Sequence, residues 1–293
     1  VEIQLPENFV LMQGSDNIQS AGVRVQSKDP VNVFAINYLK NSEDATVVLP
    51  ISTLREEYYI ITHNEGQRSE FIIVGVQDNT EVEITPPRRV SIIGGHPPQV
   101  SYTIRLNAGE VYQAQSDGDL TGTRVRSPLG KCKPFAVFTG NVCTNVGQEG
   151  QDPCGKCDHL FEQLFPINTW GYHYISIPLK NRTRDKIKIM AAQNNTRVTI
   201  NGGPVINLAA GGSTSRDFGV PTYIVSDQPV QVAQFSLGGC CEPGVDCNDI
   251  QTVYADPFML MLSPVEQMII RESTVSSFDL TNIDDSFINV ITR

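Results

Sequence analysis

A chain that aligns on itself is built from copies of one unit, and this chain of 293 residues does so. Displaced by 116 positions, Pro50 falls on Pro166, Thr53 on Thr169 and Tyr58 on Tyr174. Phe71–Thr80 falls on Ile187–Thr196, and Val82 and Ile84 fall on Val198 and Ile200. The Asn-Thr that ends each block marks a turn between two alternating strands. A second segment occurs three times, as Val23–Ser27 then Val31–Ile36, Arg124–Ser127 then Phe135–Thr139, and Thr222–Ser226 then Val230–Phe235. Pro30, Pro134 or Pro229 stands between the halves, where a turn ends pairing without breaking a central strand. Each copy leads into a proline-marked strand pair, at Leu49-Pro50, Phe165-Pro166 and Ser263-Pro264.

Each unit then holds about eight short strands, the content of two four-stranded propeller blades. The expected fold is all-β: a six-bladed propeller-like ring made by three two-blade repeats. The repeats run at about 21–120, 121–220 and 221–293 plus 1–20, within one domain spanning 1–293. Leu5–Ser15 is similar to Leu106–Ser116, and Phe287–Ile291 to Phe71–Gly75, so the two chain ends are expected to close the ring and remove its edges. A row of β-sandwiches is the alternative. Asp158–Leu164 reads as one helical turn or as the entry to a strand.

The formal charge is −10, from 22 basic and 32 acidic side chains. That sign repels phosphate backbones, and no basic stripe offsets it, so nucleic acid is not an expected partner. No apolar run reaches the roughly 18 residues of a membrane helix, so insertion is not expected either. The chain starts at Val1, which reads as a processed, secreted protein. Cys132, Cys143, Cys154, Cys157, Cys240, Cys241 and Cys247 lie in two clusters, in loops rich in Gly, Pro, Asp and Asn. Such spacing suits disulfides in an oxidising compartment better than zinc, since the second cluster lacks a C-x-x-C. Seven is odd, which leaves one thiol over. Asn181 and Asn194 head N-glycosylation triplets.

The run Cys157-Asp158-His159-Leu160-Phe161-Glu162-Gln163-Leu164-Phe165-Pro166-Ile167-Asn168-Thr169-Trp170-Gly171 resembles the signature of the IgGFc-binding protein N-terminal domain family. Asp256-Pro257-Phe258, Leu262–Gln267 and the two Gln-Asx-Asn-Thr turns are similar to it as well. The resemblance implies an extracellular setting, on mucus-associated proteins in animals and adhesin-like ones in bacteria, and a role in adhesion or matrix binding.

Asp158-His159 with Glu162 is the first place to look for acid–base chemistry, because a carboxylate can orient an imidazole. No G-x-S-x-G elbow or Cys-His pair supplies a nucleophile. The set Asp158, His159, Glu162, Gln163 and Trp170 therefore reads as a structural motif, with no catalytic residue assigned. His63, His96 and His173 are scattered and build no metal site. No cofactor is expected beyond Ca²⁺, for which Asp117-Gly118-Asp119 and Asp246–Asp249 have oxygen-rich loops of less than a full calcium-loop length. Arg88-Arg89 reads as an exposed hairpin tip, Asp284-Asp285 as a polar turn, and Gly202-Gly203 and Gly211-Gly212 as turn glycines.

Two long loops, Thr144–Lys156 and Gly238–Thr252, follow equivalent strands and should share a face. Asn145, Gln148, Glu149, Asp152, Glu242, Asp246 and Asp249 on that face are the candidate binding residues. The expected function is a secreted, non-catalytic binding or adhesion module for an extracellular protein or glycan. One alternative is a carbohydrate-active enzyme with carboxylates in a central channel. The other is a self-assembling matrix or filament component.

Overall fold

The computed structural model describes residues 1–39, 42–147, 157–180, 182–242, 244–246 and 256–268. The described residues are all-β apart from one helical turn, α1 (Glu7–Val10), and short 3₁₀ turns. That helical turn lies where Leu5–Ser15 was expected to run as strand. The strands are β1 (Asn17–Gln19), β2 (Phe34–Leu39), β3 (Ser42–Val47), β4 (Glu57–Tyr59), β5 (Ser69–Gly75), β6 (Thr80–Thr85), β7 (Tyr102–Leu106), β8 (Val111–Ser116) and β9 (Arg124–Arg126). They continue with β10 (Phe135–Thr144), β11 (Asp158–Gln163), β12 (Gly171–Ser176), β13 (Asp185–Ala191), β14 (Thr196–Ile200), β15 (Ile206–Leu208), β16 (Ser213–Phe218), β17 (Thr222–Ser236) and β18 (Met259–Met261).

The described strands do not gather into four-stranded blades. A five-stranded sheet, β1-β8-β5-β10-β11, faces a four-stranded one, β4-β9-β6-β7. Their alternating inner side chains, among them Phe71, Ile73, Tyr112 and Phe135 from one and Tyr58, Val82, Ile84 and Val125 from the other, form a closed core. The second repeat is the unit whose strands run from Gly171 to Met261, across the bound of 220 read in the sequence, and the first is the unit before it. In the second a single seven-stranded sheet, β12 to β18, curls around its own core of Tyr174, Ile187, Ile189, Ile224 and Val232. The described residues show an all-β fold of facing and curled sheets, and no closed six-bladed propeller among them. Residues 287–291, expected to close the ring, and Asp284-Asp285, expected as a polar turn, lie outside the described residues. At the other end, β1 joins the first repeat by pairing with β8.

The repeats correspond strand for strand, and details coincide. Tyr58 donates its hydroxyl proton to the Phe135 carbonyl at 2.9 Å, and Tyr174 does the same to Val230 at 2.6 Å. Thr80 and Thr196 each donate back to the carbonyl three residues earlier, at 2.7 and 2.8 Å. Asn79 and Asn195 take the left-handed conformation, with φ of 55° and 61°, which asparagine tolerates better than most residues. The hairpins β2–β3, β10–β11 and β17–β18 also share one register: Phe34 opposes Val47, Phe138 opposes Gln163, and Ala233 opposes Met261. Each position lies four residues beyond Pro30, Pro134 or Pro229 and three before Pro50, Pro166 or Pro264, so the threefold repetition holds in space. The expectation of a turn at Pro229 does not hold, because β17 runs unbroken through it.

A second core joins the repeats, built by Tyr59, Ile61, Val146 and Leu160 from one and Met190, Phe235 and Met259 from the other. Beside it, the Lys188 ammonium donates to the Thr62 carbonyl at 2.5 Å and pairs with Asp119 at 2.8 Å. Gly122, at φ +91°, lets the two backbones touch; a Cβ there would stand 2.4 Å from the Gly211 carbonyl oxygen.

Candidate functional site

Two places gather the residues singled out in the sequence: a seam between hairpins and a pair of loops.

Asp158–Gln163 is strand β11, not a helical turn, and lies on the outer edge of the five-stranded sheet. An edge exposes unpaired N–H groups. Here side chains of β3 receive them in alternation. His159 N–H donates to Ser42 Oγ at 3.3 Å, Phe161 N–H to Asp44 Oδ2 at 2.8 Å, and Gln163 N–H to Thr46 Oγ1 at 2.9 Å. Equivalent positions of the two repeats bond directly as well. Ser42 Oγ donates to Asp158 Oδ1 at 2.5 Å and Thr46 Oγ1 to Glu162 Oε2 at 2.6 Å, each pair 116 residues apart. Gln163 accepts the Leu49 N–H at 2.8 Å. Glu162 also accepts the Met261 N–H at 3.3 Å, which draws β18 into the same seam. Two strands that share no backbone ladder are thus held together by hydroxyl and carboxyl groups.

Burial dominates the electrostatics of the seam. It raises Glu162 from 4.5 to about 8, against the Thr46 bond that lowers it, with Asp44 nearby adding to the rise. Asp44 is raised from 3.8 to about 7 by burial, against its backbone hydrogen bonds. Asp158 shifts upward for the same reason. These carboxyls are engaged by amides and hydroxyls of their own chain. His159 stands at the rim, where Asn37 Nδ2 lies 2.9 Å from its Nε2. Trp170 donates from its indole nitrogen to the Phe165 carbonyl at 3.2 Å and packs against Tyr59 between the repeats. Sequence reasoning found the β11 half of this seam and missed Ser42, Asp44 and Thr46. Their offset of 116 or so from Asp158, Leu160 and Glu162 was the available signal.

The loop pair begins where β10 and β17 end. Gly238 N–H donates to the Val146 carbonyl at 2.9 Å, so the starts of the two long loops touch. Cys143 and Cys157 form a disulfide across the first loop, and Cys240 and Cys241 are disulfide-bonded in the second. Asn145 is half-buried and donates to the Glu65 carbonyl at 3.4 Å, and the Gly147 N–H donates to the Glu65 carboxylate at 2.6 Å. Glu242 anchors its own loop: it accepts the Thr183 hydroxyl at 2.6 Å and lies 3.3 Å from the buried Arg182 guanidinium. Asp246 is exposed. Gln148, Glu149, Asp152, Cys154, Asn181, Cys247 and Asp249 lie outside the described residues. Cys132, the free thiol among the described cysteines, is exposed in the turn before β10, at the other end of that strand from the loops.

The calcium candidates resolve differently. Asp119 is neutralised by Lys188, whose charge and hydrogen bond pull it down to about 2 although burial opposes them. Asp117 pairs with Arg68 at 3.1 Å. Among the described residues no group of three or more His, Cys, Asp or Glu could hold a metal ion. His63 lies 3.2 Å from Glu65, His96 3.0 Å from Asp16 and His173 2.5 Å from Glu266, each in its own carboxylate pair. Asn194 is exposed in its turn, and its side chain accepts the Ala210 N–H at 3.0 Å. Arg88-Arg89 is an exposed turn, and the paired glycines at 202–203 and 211–212 also lie at turns.

The fold and these two sites define a disulfide-tied, all-β repeat protein whose repeats are joined through side chains. The family model described as IgGFc binding protein matches residues 44–293, and the chain belongs to that family. It is 28% identical over 238 residues to the "IgGFc-binding protein" of Homo sapiens, covering 78% of this chain and 4% of that protein. No solved structure matches. No described helix is long and apolar enough to cross a membrane.

Proposed function

We propose that this chain is a secreted, non-catalytic binding module that presents the Thr144–Lys156 and Gly238–Thr252 loops to an extracellular protein. The observation that carries the reading is the contact of Gly238 with Val146, which starts both loops from one point of the body. Loops fixed on a rigid scaffold are where recognition concentrates. Bridged cysteines in both loops agree with an oxidising compartment. Family membership supports a protein partner over a glycan or another copy. Asn145, Gln148, Glu149, Asp152, Glu242, Asp246 and Asp249 remain the proposed contact set, with Glu242 serving partly to hold its loop. We read residues 1–293 as one repeat-built β domain. A non-catalytic role is supported by the use of Asp44, Asp158 and Glu162 as hydrogen-bond acceptors within the seam.

The name of the human relative makes the antibody Fc fragment the first probe. Binding to immobilised Fc is measured for the full chain and for a variant with 148–153 replaced by Gly and Ser. A loss of tenfold or more in affinity supports the loop face. Equal affinity overturns it, and absence of Fc binding in both removes the antibody as partner.

A further inference from the structure

One end of the core is filled in the first repeat and open in the second. In the first, the connection from β6 to β7 spans 86–101 and returns Ile92 into the core, with Val90 packed against it. Leu120, between β8 and β9, joins the same core. The segment is pinned to β8, where the Ile93 N–H donates to the Gln115 carbonyl at 2.9 Å and the Ser116 hydroxyl to the Ser91 carbonyl. In the second repeat the two connections shorten to 201–205 and 219–221. By strand register Phe218 stands in the place of Ser116. Over Ile187, Ile200, Ile206 and Phe218 a cleft of about 830 Å³ then opens. Concave, largely apolar spaces of this order are where ligands seat.

The cleft carries charge at a position that the other repeat gives to its core. Phe71 opposes Ala114 in the first repeat, and its counterpart Ile187 opposes Arg216 in the second. Residues directly opposite on antiparallel strands share a face. Ala114 is fully buried, whereas Arg216 lines the cleft and is exposed, as is Arg184. Arg216 donates to the neighbouring Ser215 carbonyl at 2.7 Å, and among the described residues neither arginine has a carboxylate partner. Asp217, the acidic residue of the lining, is paired with Lys186 at 2.7 Å. Two guanidinium groups therefore stand over an apolar floor, and a guanidinium recognises a carboxylate in fork geometry.

We propose that this cleft takes an extended, acidic peptide segment of a partner protein, with its aliphatic side chains on the apolar floor and a carboxylate on Arg216. The first repeat supplies the template: Val90-Ser91-Ile92 delivers two aliphatic groups, two residues apart, to the equivalent space. The partner repeats that alternation, with acidic residues where the internal segment has Arg88-Arg89. Neither 144–156 nor 238–252 lines the cleft, so the inference goes beyond the loop face.

Fluorescence anisotropy with the full chain compares two labelled peptides, Asp-Asp-Val-Ser-Ile-Ile-Gly and Arg-Arg-Val-Ser-Ile-Ile-Gly. The acidic peptide should bind about tenfold more tightly. Arg216→Ala, which restores the residue type of the first repeat, should abolish that difference, and Arg216→Lys should keep part of it. The chain with 148–153 replaced should bind the acidic peptide as the parent does. Absence of binding, equal binding of the two peptides by the parent, or equal binding of the acidic peptide by the parent and Arg216→Ala overturns the proposal. Loss of binding in a 148–153 variant that melts as the parent does also overturns it, because the peptide would then sit on the loops. So does displacement of the peptide by decanoate at a lower concentration than by unlabelled peptide, which would make the occupant a fatty acid.

Discussion

The first and second repeats solve the same packing problem with one difference at each end of the barrel-like core. In the first, β9 and β10 are separated by Ser127–Pro134, and the strands belong to two sheets that face each other. In the second, the step from Ser226 to Pro229 is four residues shorter, so one strand of 15 residues carries both halves and the sheet curls as a piece. At the far end, the 86–101 connection of the first repeat folds back over its core. Ile92 is buried there, and Ser116 donates to the Ser91 carbonyl at 2.7 Å. The second repeat crosses the same gap with 201–205, leaving a cleft of about 830 Å³ lined by Ile187, Ile200, Ile206 and Phe218. Shared strands set the common core, while connections decide whether it is sealed.

The largest expected effect tests the seal. Ile92→Ala should destabilise the chain by about 2–5 kcal/mol, the cost of a cavity under a fixed lid. Ile200→Ala, at the half-buried counterpart of Ile84, should cost less than half as much, since water already reaches it. Chemical denaturation of both variants measures the difference; equal costs would mean the cleft is closed in solution.

A second comparison sets the seam against the joint between the repeats, which should respond to pH in opposite senses. Asp44 and Glu162 are raised in the fold, so their contribution is complete below pH 4 and is lost as pH rises through about 7 to 8. Asp119 is lowered by Lys188, so its contribution is present above pH 4 and fades toward about 2. Stability should peak near pH 4 and then fall continuously as pH rises toward 8, by an amount on the order of 2 kcal/mol or more by pH 8.5. Glu162→Gln keeps an acceptor for the Met261 N–H without ionising, and should remove about half of the alkaline decline, Asp44 supplying the rest. Thermal melts across pH check this, and an unchanged slope in the variant would place the titration elsewhere.

The smallest effect tests the connection between β9 and β10. Replacing Ser127–Pro134 by the four residues Ser226–Pro229 should fuse the two strands with a change of stability within about 1 kcal/mol, as surface insertions cost little. It also removes Cys132, so reaction of the native protein with a thiol reagent should fall. A large loss of stability would show that the excursion holds the two sheets apart by necessity.

Much of the fold was legible in the sequence because strand and turn signals are local. The Gln-Asx-Asn-Thr turns sit where Thr80 and Thr196 cap them, and proline spacing anticipates a hairpin register common to three copies. The candidate site was legible only on one side. Asp158 and Glu162 drew notice because they lie beside a histidine, while Ser42 and Thr46 look like ordinary exposed strand residues until β11 lies against them. Asp119 looked like a calcium ligand because its partner, Lys188, lies 69 residues away.

By itself the sequence determined the repeat, the alternation of its strands and the places where they turn, since these follow from backbone and side-chain preferences over a few residues. Tertiary structure alone decided whether the strands form blades or facing sheets, because the same alternation serves both. It alone decided that neighbouring hairpins are joined through carboxyl and hydroxyl groups. Such bonds link residues 116 apart, and their strength comes from a burial that exists only once the repeats have met.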